Sequence, residues 1–533
     1  MLKKTRWQWL AVAAVVLSAL LLRAHHLSQV FAWLDETDFF NEGIYGDPYG
    51  GPPMSLVHFS IWTRSYSTNT WGWPAVVWMT CRLFGCTLAV ARAPSVLVGT
   101  SAILLVFLLV YRLIPTTLAA NRFFPAFFAA TLCTVAMPQM EFSQRTYPYG
   151  ATPFMAAALL LAHLEVLRVT PEGQVTGANV FRAVALYTAA GSLALCIHPS
   201  LGLLLGASVA FLAVHMSRSF FRRTRAERLK MFRLALGSGA IMLCAALLNA
   251  KNPKYGFRPY LLRYYHQPTL RSMPTLFEHA YDLATYHLNL FYNTSLYWPE
   301  RLNGATLPLI LLCVLGWILA VAGKFGRHAR HLAGLGMVAA GMPAVLSLAR
   351  VFPFGGVRQT LFLSPFFFVF TALGFYALRV HWLTRTLGSL LAALYLALWA
   401  FNLPRFYEER AAVYNAPELV QVWRENDGLP YYTRGCDREL RYLLRDHPQI
   451  PIKVLDFYSR GQLPKPPYLV ISTHWPPLES KTMFAGFKEY LEAMDDKATL
   501  IMAKPPKHLE SLEYSGSLYF PPNGLWIYKV TAR

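Results

Sequence analysis

The stretch that decides the fold is residues 94–113, PSVLVGTSAILLVFLLVYRL, which contains a single charged residue, Arg112. It is long enough to cross the hydrocarbon core of a bilayer, which needs about 20 apolar residues. Residues 358–378 and 384–402 are apolar over similar lengths. The whole chain of 533 residues is 55% hydrophobic and 14% charged, whereas soluble domains carry about 25% charged residues. The composition therefore predicts a polytopic membrane protein, argues against a water-soluble enzyme and excludes a disordered chain.

The net charge of +21 is distributed in short basic runs that lie between the apolar stretches. Such runs set the orientation of membrane proteins, because lysine and arginine stay on the cytoplasmic side. This rule places the N-terminus and residues 218–233, 324–331 and 379–385 in the cytoplasm, and we expect no nucleic-acid partner. Residues 1–24 begin with three cations but lack a small-residue cleavage pattern, so they are predicted to be a retained first helix and not a signal peptide.

These anchors predict about eleven transmembrane helices with the C-terminus outside. The predicted spans are residues 8–24, 94–113, 123–139, 150–167, 183–198, 200–216, 234–250, 305–322, 332–349, 358–378 and 384–402. Residues 71–90 are assigned to the outer interface, since a further crossing would invert the basic run at 218–233. The tryptophans of that segment suit headgroup depth.

This assignment of spans and orientation predicts two domains. Residues 1–403 form a membrane module with long outer loops at about 25–93 and 251–304. Residues 404–533 are richer in charge, and their short apolar runs at 467–472 and 525–530 alternate with helical stretches at 417–426 and 481–493. That pattern predicts a small α/β domain on the outer, periplasmic face.

Carboxylates emerge shortly after the first helix, at Asp35, Glu36 and Asp38. Acidic side chains next to the hydrocarbon are costly unless they are paired or functional, although a solvated acidic loop remains the simpler interpretation. A second short outer loop contains Glu141, Arg145 and Tyr147. Glu141 and Arg145 have the spacing of a plain ion pair one helical turn apart, or they line a cleft.

Further cations lie on the predicted outer face. His198 ends the fifth span, where a capping role competes with a catalytic one, and Arg358 enters a late span, where it either snorkels or grips a phosphate through a bidentate fork. The second long loop interleaves tyrosines with basic residues, which favours an anionic lipid headgroup or a phosphate, or plain contact with the membrane. The basic residues predicted to bind substrate there are Lys254, Arg258, Arg263 and His266.

Together these residues suit glycosyl transfer from a lipid phosphate, because a carboxylate takes the proton of an acceptor hydroxyl and cations stabilise the phosphate that leaves. The order of motifs also resembles the GT-C membrane glycosyltransferases, notably family 39 (proteins similar to protein O-mannosyltransferases) and lipid A aminoarabinose transferases. The matching segments are Trp33-Leu34-Asp35-Glu36, Arg92-Ala93-Pro94-Ser95, Tyr111-Arg112-Leu113, Phe142-Ser143-Gln144-Arg145-Thr146-Tyr147, His198, and Arg358 with Pro365.

The resemblance implies an inverting transferase that uses a polyprenyl-phosphate sugar in a bacterial inner membrane, with Asp35 as the base and Glu36 beside it. It implies that Arg145 and Arg358 face the lipid phosphate or its sugar. The acceptor is a hydroxyl of a glycan, a lipid or a protein. Some relatives use a divalent cation, so Mg²⁺ or Mn²⁺ on Asp35, Glu36 and Glu141 is an open alternative, and no nucleotide cofactor is expected. A flippase of lipid-linked sugars, an O-antigen-type polymerase or ligase, and a scaffolding role for the outer domain are the competing hypotheses.

Overall fold

The structure is a computed structural model. It describes most of the hydrophobic module and part of the C-terminal region. The described residues are 2–28, 55, 70, 72–85, 87–114, 122–169, 178–220, 224–249, 273–290, 306–348, 352, 358–379, 382–410, 415–433, 440–441, 443–444, 446–454, 467–472, 496–504 and 525–532. Contacts divide the chain into two compact units, one from Met1–His25 with Leu56–Asn402 and one from His26–Ser55 with Leu403–Arg533.

The first unit is a bundle of helices. In chain order they are α1 (Leu2–Ala24), α2 (Gly72–Phe84), α3 (Leu88–Leu113), α4 (Phe123–Val135), α5 (Met137–Ser143), α6 (Ala151–Val169), α7 (Ala178–Ile197), α8 (Leu201–Phe220), α9 (Arg225–Leu248), α10 (Met273–His287), α11 (Leu307–Val321), α12 (Arg327–Leu348), α13 (Ser364–Leu378) and α14 (Trp382–Arg410). Turns of 3₁₀ helix at Pro148–Gly150 and Arg358–Leu363 lead into α6 and α13.

Among the described residues, eight helices are long and apolar enough to cross a membrane, and the bent pair α4–α5 makes a ninth if its two helices count as one span. Two shorter apolar helices, α8 and α11, lie at the other two predicted spans. The prediction of a multi-pass, α-helical membrane protein is thereby confirmed. The helix α2 has 13 residues, about 20 Å of rise, so it is too short for a crossing.

Several helices begin earlier than the hydropathy of the sequence predicts. The third helix starts at Leu88, where the hydroxyl of Thr87 accepts a hydrogen bond from the amide of Val90. The ninth helix starts at Arg225, inside the basic run, because Thr224 and Glu227 form a reciprocal capping box there. Caps and exposed cations add turns to a helix without adding apolar residues, so hydropathy alone misses them.

The bundle has two chemically different ends. The polar end, defined by α5 and the 3₁₀ turn before α6, holds the buried polar side chains at the end of α1. The basic end, defined by the start of α1 and the junction of α13 with α14, carries arginines such as Arg112, Arg327 and Arg379. The helix α4 joins the two ends, since Phe123 packs on Phe107 and its last residues meet Arg23.

The second unit contains a five-stranded mixed sheet in the order β2-β1-β3-β5-β4. The strands are β1 (Tyr431–Thr433), β2 (Ile452–Val454), β3 (Tyr468–Ser472), β4 (Asp496–Lys504) and β5 (Leu525–Ala532), and the helix α15 (Ala416–Glu425) precedes them. The first three strands are parallel, and β5 runs antiparallel to both of its neighbours. The small α/β domain is as predicted; the helix predicted at 481–493 lies outside the described residues.

Candidate active site

The polar end is built around a break in the third crossing. The helices α4 and α5 meet at an angle of 59°, and Ala136 between them is extended. Pro138 has no amide hydrogen, so the carbonyl of Thr134 loses its helical partner. The amide of Met137 donates instead to the carbonyl of Asn289 at 2.9 Å, which frees the carbonyl of Cys133.

Arg23, the penultimate residue of α1, satisfies both freed carbonyls. Its Nη2 donates to the Cys133 oxygen at 3.1 Å and its Nη1 to the Thr134 oxygen at 3.4 Å. Its Nε donates to the Ser143 hydroxyl at 3.2 Å. The guanidinium is wholly buried, and it therefore replaces the hydrogen bonds that the break removes and fixes α5 against the end of α1.

Gln144 joins the same two elements from the other side. Its Nε2 donates to the carbonyl of His25 at 2.9 Å and to that of Arg23 at 3.1 Å. These are carbonyls at the end of α1, which an isolated helix leaves unpaired. The chain thus leaves the bundle at the polar end, and Asp35 follows His25 by ten residues.

Glu141 and Arg145 form the ion pair that their spacing allows. Carboxylate Oε1 of Glu141 accepts from Nη2 of Arg145 at 2.9 Å and from its Nε at 3.0 Å. The two side chains are 4% and 6% exposed, so neither water nor salt screens the attraction much. Because breaking one partner leaves a buried charge, the pair holds the loop after α5 in one conformation.

An aromatic cluster continues from this pair toward α13. The rings of Tyr147 and Tyr149 stack with centroids 5.3 Å apart. The guanidinium carbon of Arg358 stands 5.1 Å from the centre of the Tyr149 ring and 5.9 Å from that of Tyr147. The imidazole of His198 packs on Tyr149 at 5.0 Å. A guanidinium over tyrosine faces is oriented by cation–π attraction while its N–H groups remain donors.

The proton of His198 can be placed from its contacts. The backbone N–H of Ser200 donates to Nδ1 of the ring at 3.2 Å, and the Ser200 hydroxyl lies 2.7 Å from the same atom. An amide can only donate, so Nδ1 is an acceptor and the neutral ring carries its proton on Nε2. His198 is thus a buried neutral ring with a defined tautomer at the start of α8.

A second polar chain connects α5, α10 and α13. Nε2 of Gln139 donates to the hydroxyl of Ser364 at 2.9 Å, and Nδ1 of His287 lies 2.9 Å from the same oxygen. Nε2 of His287 is 3.4 Å from the Thr360 hydroxyl. All four side chains are buried. Burial lowers the pKa of His287 to about 3, so this ring is neutral.

A tryptophan and two glycines allow the segments around this site to pack closely. The indole N–H of Trp73 in α2 donates to the carbonyl of Thr146 at 2.7 Å. A side chain at Gly150 would stand 2.7 Å from the Phe142 carbonyl, and one at Gly99 would collide with Ser143. The loop after α5 can pack so tightly only because glycine occupies both positions.

Five residues predicted to bind substrate are described, and all lie at the polar end of the bundle. Glu141, Arg145, Tyr147, His198 and Arg358 are buried or half-buried there. The predicted catalytic residues Asp35 and Glu36 lie outside the described residues, as do Lys254, Arg258, Arg263 and His266. The roles of all these residues stay predictions.

Sequence reasoning did not select the polar residues that organise this end. They are Arg23, Arg92, Gln139 and His287, and each is buried. Arg92 was noted only as part of a motif. A cation or a polar side chain next to an apolar span is costly without partners, and that rule points to Arg23 and Arg92. No comparable pattern marks Gln139 or His287.

A divalent cation was tested against the residues that the structure describes. Within them, no group of three or more His, Cys, Asp or Glu side chains is arranged to hold a metal ion. Oxygen Oε1 of Glu141 already accepts two bonds from Arg145. Asp35 and Glu36, the other two predicted ligands, lie outside the described residues, so a divalent cation on Asp35, Glu36 and Glu141 stays a prediction.

The architecture defines the class: an α-helical, multi-pass membrane protein with a small α/β domain, as the sequence predicts. Neither a family model nor any curated protein sequence matches the chain. The oligosaccharyltransferase of Archaeoglobus fulgidus, in a structure with zinc and sulfate, has the same fold with a TM-score of 0.52 and 12% identity, over 92% of this chain and 67% of that chain.

Two structures of ArnT from Cupriavidus metallidurans are also similar. In the apo state ArnT gives a TM-score of 0.47 at 13% identity, over 88% of this chain and 93% of that one. Bound to undecaprenyl phosphate it gives 0.48 at 13% identity, over 98% of both chains. At these identities the likeness concerns the fold.

Proposed function

We propose that the protein is an inverting glycosyltransferase that moves a sugar from a polyprenyl-phosphate donor to a hydroxyl acceptor on the outer face of a bacterial inner membrane. The observation that carries this proposal is the convergence of Arg358, Arg145 and the Tyr147–Tyr149 stack at one end of the bundle. Gln144 ties the same loop to the end of α1, from which the chain continues to Asp35 and Glu36. The shared fold with an oligosaccharyltransferase supports the reaction class.

The reaction needs a base for the acceptor hydroxyl and a cation that stabilises the phosphate leaving group. The carboxylate of Asp35 takes the proton of the acceptor hydroxyl while its oxygen attacks the anomeric carbon of the sugar. The bond from that carbon to the phosphate oxygen breaks with inversion, and polyprenyl phosphate leaves with an additional negative charge. A guanidinium that donates two parallel hydrogen bonds stabilises this charge as it develops.

The two arginines have different parts in this scheme. Arg145 is held by Glu141 within a buried pair, so its contribution is to position the loop after α5. Arg358 is oriented over the faces of Tyr149 and Tyr147, and a guanidinium held in this way can bind a phosphate through its N–H edge. Arg358 is therefore the proposed phosphate ligand, and the basic loop residues Lys254, Arg258, Arg263 and His266 would extend the anion-binding site.

The test is a transfer assay on the full chain reconstituted in proteoliposomes, with a panel of synthetic polyprenyl-monophosphate sugars as donors. Release of polyprenyl phosphate is measured. Asp35→Asn is expected to lower the rate by about 100-fold or more, since this is the least that a general base contributes. The matched control is Asp38→Asn, a carboxylate three residues away. Arg358→Gln is expected to raise KM for the donor and lower kcat, with Arg112→Gln as its control.

Two results would overturn the proposal. Full transfer by Asp35→Asn removes Asp35 as the base. The second result is movement of the donors across the bilayer of sealed vesicles without release of polyprenyl phosphate from any of them. It would favour the alternative hypothesis, a flippase of lipid-linked sugars, over a transferase.

A further inference from the structure

A long apolar cavity runs along α4 in the membrane module. It has a volume of about 340 Å³ and opens between α4, α11, α13 and α14. Phe128 and Phe375, whose rings stack at 4.1 Å, form one wall, and Leu312, Ala392 and Leu396 line the remainder. A cavity with such walls stays free of water, and its lining gains dispersion contacts only when an apolar group fills it.

The length of the cavity suits an extended acyl chain. It follows α4 from Phe124 to Val135, a rise of about 16 Å over eleven residues. That is about half of the roughly 30 Å thickness of the hydrocarbon core. The hydroxyl of Thr131, which lies along this path, donates to the Phe127 carbonyl at 3.0 Å and adds no free polar group.

Two arginines stand where the cavity reaches the basic end of the bundle. The guanidinium carbon of Arg379 lies 3.5 Å from the centre of the Phe124 ring, which lines the cavity. Arg385 is exposed on α14 and precedes Gly388, Ser389 and Ala392 by three, four and seven residues. This spacing places Arg385 on the helix face that lines the cavity.

These cations are close together and have no carboxylate partner among the residues that the structure describes. Burial first, and then the positive charge of Arg385, lower the pKa of Arg379. The described carboxylates at this end are engaged elsewhere: Glu165 pairs with Arg112 and Arg168, and Glu227 caps α9. Repulsion between two uncompensated arginines is relieved by an anion that binds both.

We propose that this cavity binds one anionic glycerophospholipid of the leaflet at the basic end, with an acyl chain along α4 and its phosphate on Arg379 and Arg385. The apolar walls select a hydrocarbon chain, and the charge at the basic end selects a lipid with a net negative headgroup. By the positive-inside rule the headgroup lies in the cytoplasmic leaflet. It is at the opposite end of the bundle from the polar end, where the phosphate of the sugar donor is proposed to bind.

The experiment is a lipid titration of the delipidated full chain, followed by native mass spectrometry. The probes are phosphatidylglycerol and phosphatidylcholine with identical dioleoyl chains, so that they differ only in headgroup. One phosphatidylglycerol per chain is expected to bind, with a marked preference over phosphatidylcholine. Arg379→Gln and Arg385→Gln are each expected to weaken phosphatidylglycerol binding about fivefold, while phosphatidylcholine binding stays unchanged.

A further substitution tests whether the acyl chain of the lipid binds in the cavity. Ala392→Phe fills the cavity and is expected to abolish binding of both lipids, whereas Leu390→Phe on the exposed face of the same helix leaves it unchanged. Arg327→Gln, an exposed arginine at the same end, is the charge control. Thermal unfolding without lipid shows that each variant folds, and Arg385, being exposed, tests the headgroup contact without disturbing the core.

Three outcomes would overturn the proposal. Equal affinity for the two phospholipids removes headgroup recognition. Unchanged phosphatidylglycerol binding by both arginine variants moves the headgroup elsewhere. If undecaprenyl phosphate displaces phosphatidylglycerol one for one, the cavity binds the polyprenyl chain of the sugar donor and not a phospholipid.

Discussion

The side chains of Gln139 and Ser364 are joined by a hydrogen bond of 2.9 Å between residues 225 positions apart. The bond connects the short helix α5 to the first residue of α13, and His287 from α10 lies 2.9 Å from the same hydroxyl. One oxygen therefore holds three elements together beneath the aromatic cluster that contains Arg358. Arg358 opens the 3₁₀ turn that ends at this junction, and Arg145 follows α5 by two residues.

Removing that oxygen by Ser364→Ala is expected to destabilise the protein by about 1–3 kcal/mol, because the buried amide of Gln139 and the ring of His287 both lose a partner. Thermal unfolding in nanodiscs measures the effect. Ser217→Ala, an exposed serine whose hydroxyl bonds the Val214 carbonyl within α8, is the matched control and is expected to unfold close to the wild-type temperature. Equal unfolding temperatures for the two variants would show that the junction adds nothing to stability.

Replacing Arg23 by methionine removes the donors that satisfy Cys133 and Thr134. The loss of a buried cation also removes its desolvation cost, but two carbonyls and the Ser143 hydroxyl are left without a donor. We expect a net destabilisation of about 2 kcal/mol and a more protease-sensitive loop after α5.

Arg6→Met, an exposed arginine near the other end of α1, is the control for Arg23→Met in thermal unfolding and limited proteolysis. Arg23→Lys is expected to be intermediate, since an ammonium cannot donate in the planar fork that reaches three oxygens. An Arg23→Met protein as stable as Arg6→Met would contradict the assignment of Arg23 as the cap of α4.

The sequence was sufficient for the apolar spans and for the small sheet, because both depend on local patterns of hydrophobicity. It also located the loop with Glu141 and Arg145, whose pairing follows from helical spacing alone. It did not reveal the break at Ala136, since Pro138 lies inside an otherwise apolar predicted span. It could not pair Gln139 with Ser364 or Arg23 with Cys133, because such contacts are decided by packing between distant segments. Arg23 was interpreted only as the end of the first span.

Two glycines within helices predict opposite effects of the same substitution. A methyl group at Gly99 would lie 2.8 Å from Cβ of Ser143, the residue that bonds Arg23, whereas nothing lies within 4 Å of one at Gly237. Alanine is favoured over glycine in a helix by about 1 kcal/mol. We therefore expect Gly237→Ala to be neutral or stabilising, and Gly99→Ala to lower stability by about 1–3 kcal/mol through overpacking.

The comparison of Gly99→Ala with Gly237→Ala is made by thermal unfolding in the same lipid. Because both substitutions add one methyl group to a helix, intrinsic helix propensity cancels between them. Stabilisation of both proteins to the same extent would mean that α3 and α5 are not in the close contact described.

The pH dependence of stability reports on His287. Its pKa is about 3 in the folded protein because of burial, against about 6.5 in an unfolded chain. Its neighbours Gln139, Ser364 and Thr360 are uncharged, and the Phe367 ring stacks on it at 4.7 Å. Between these two values the unfolded chain binds a proton that the folded protein does not, so stability falls as the pH is lowered from about 6.5 toward 3.

This one group is expected to lower the free energy of unfolding by about 3 kcal/mol between pH 7.5 and pH 4.5. His287→Gln has no titrating ring and retains an amide that can bond Ser364. Its free energy of unfolding should therefore fall over the same pH interval by about 3 kcal/mol less than that of the wild type. Unfolding is followed for both proteins across the pH range. Parallel curves for wild type and His287→Gln would mean that His287 takes up a proton in the folded state, and thus that the ring is not held neutral between α10 and α13.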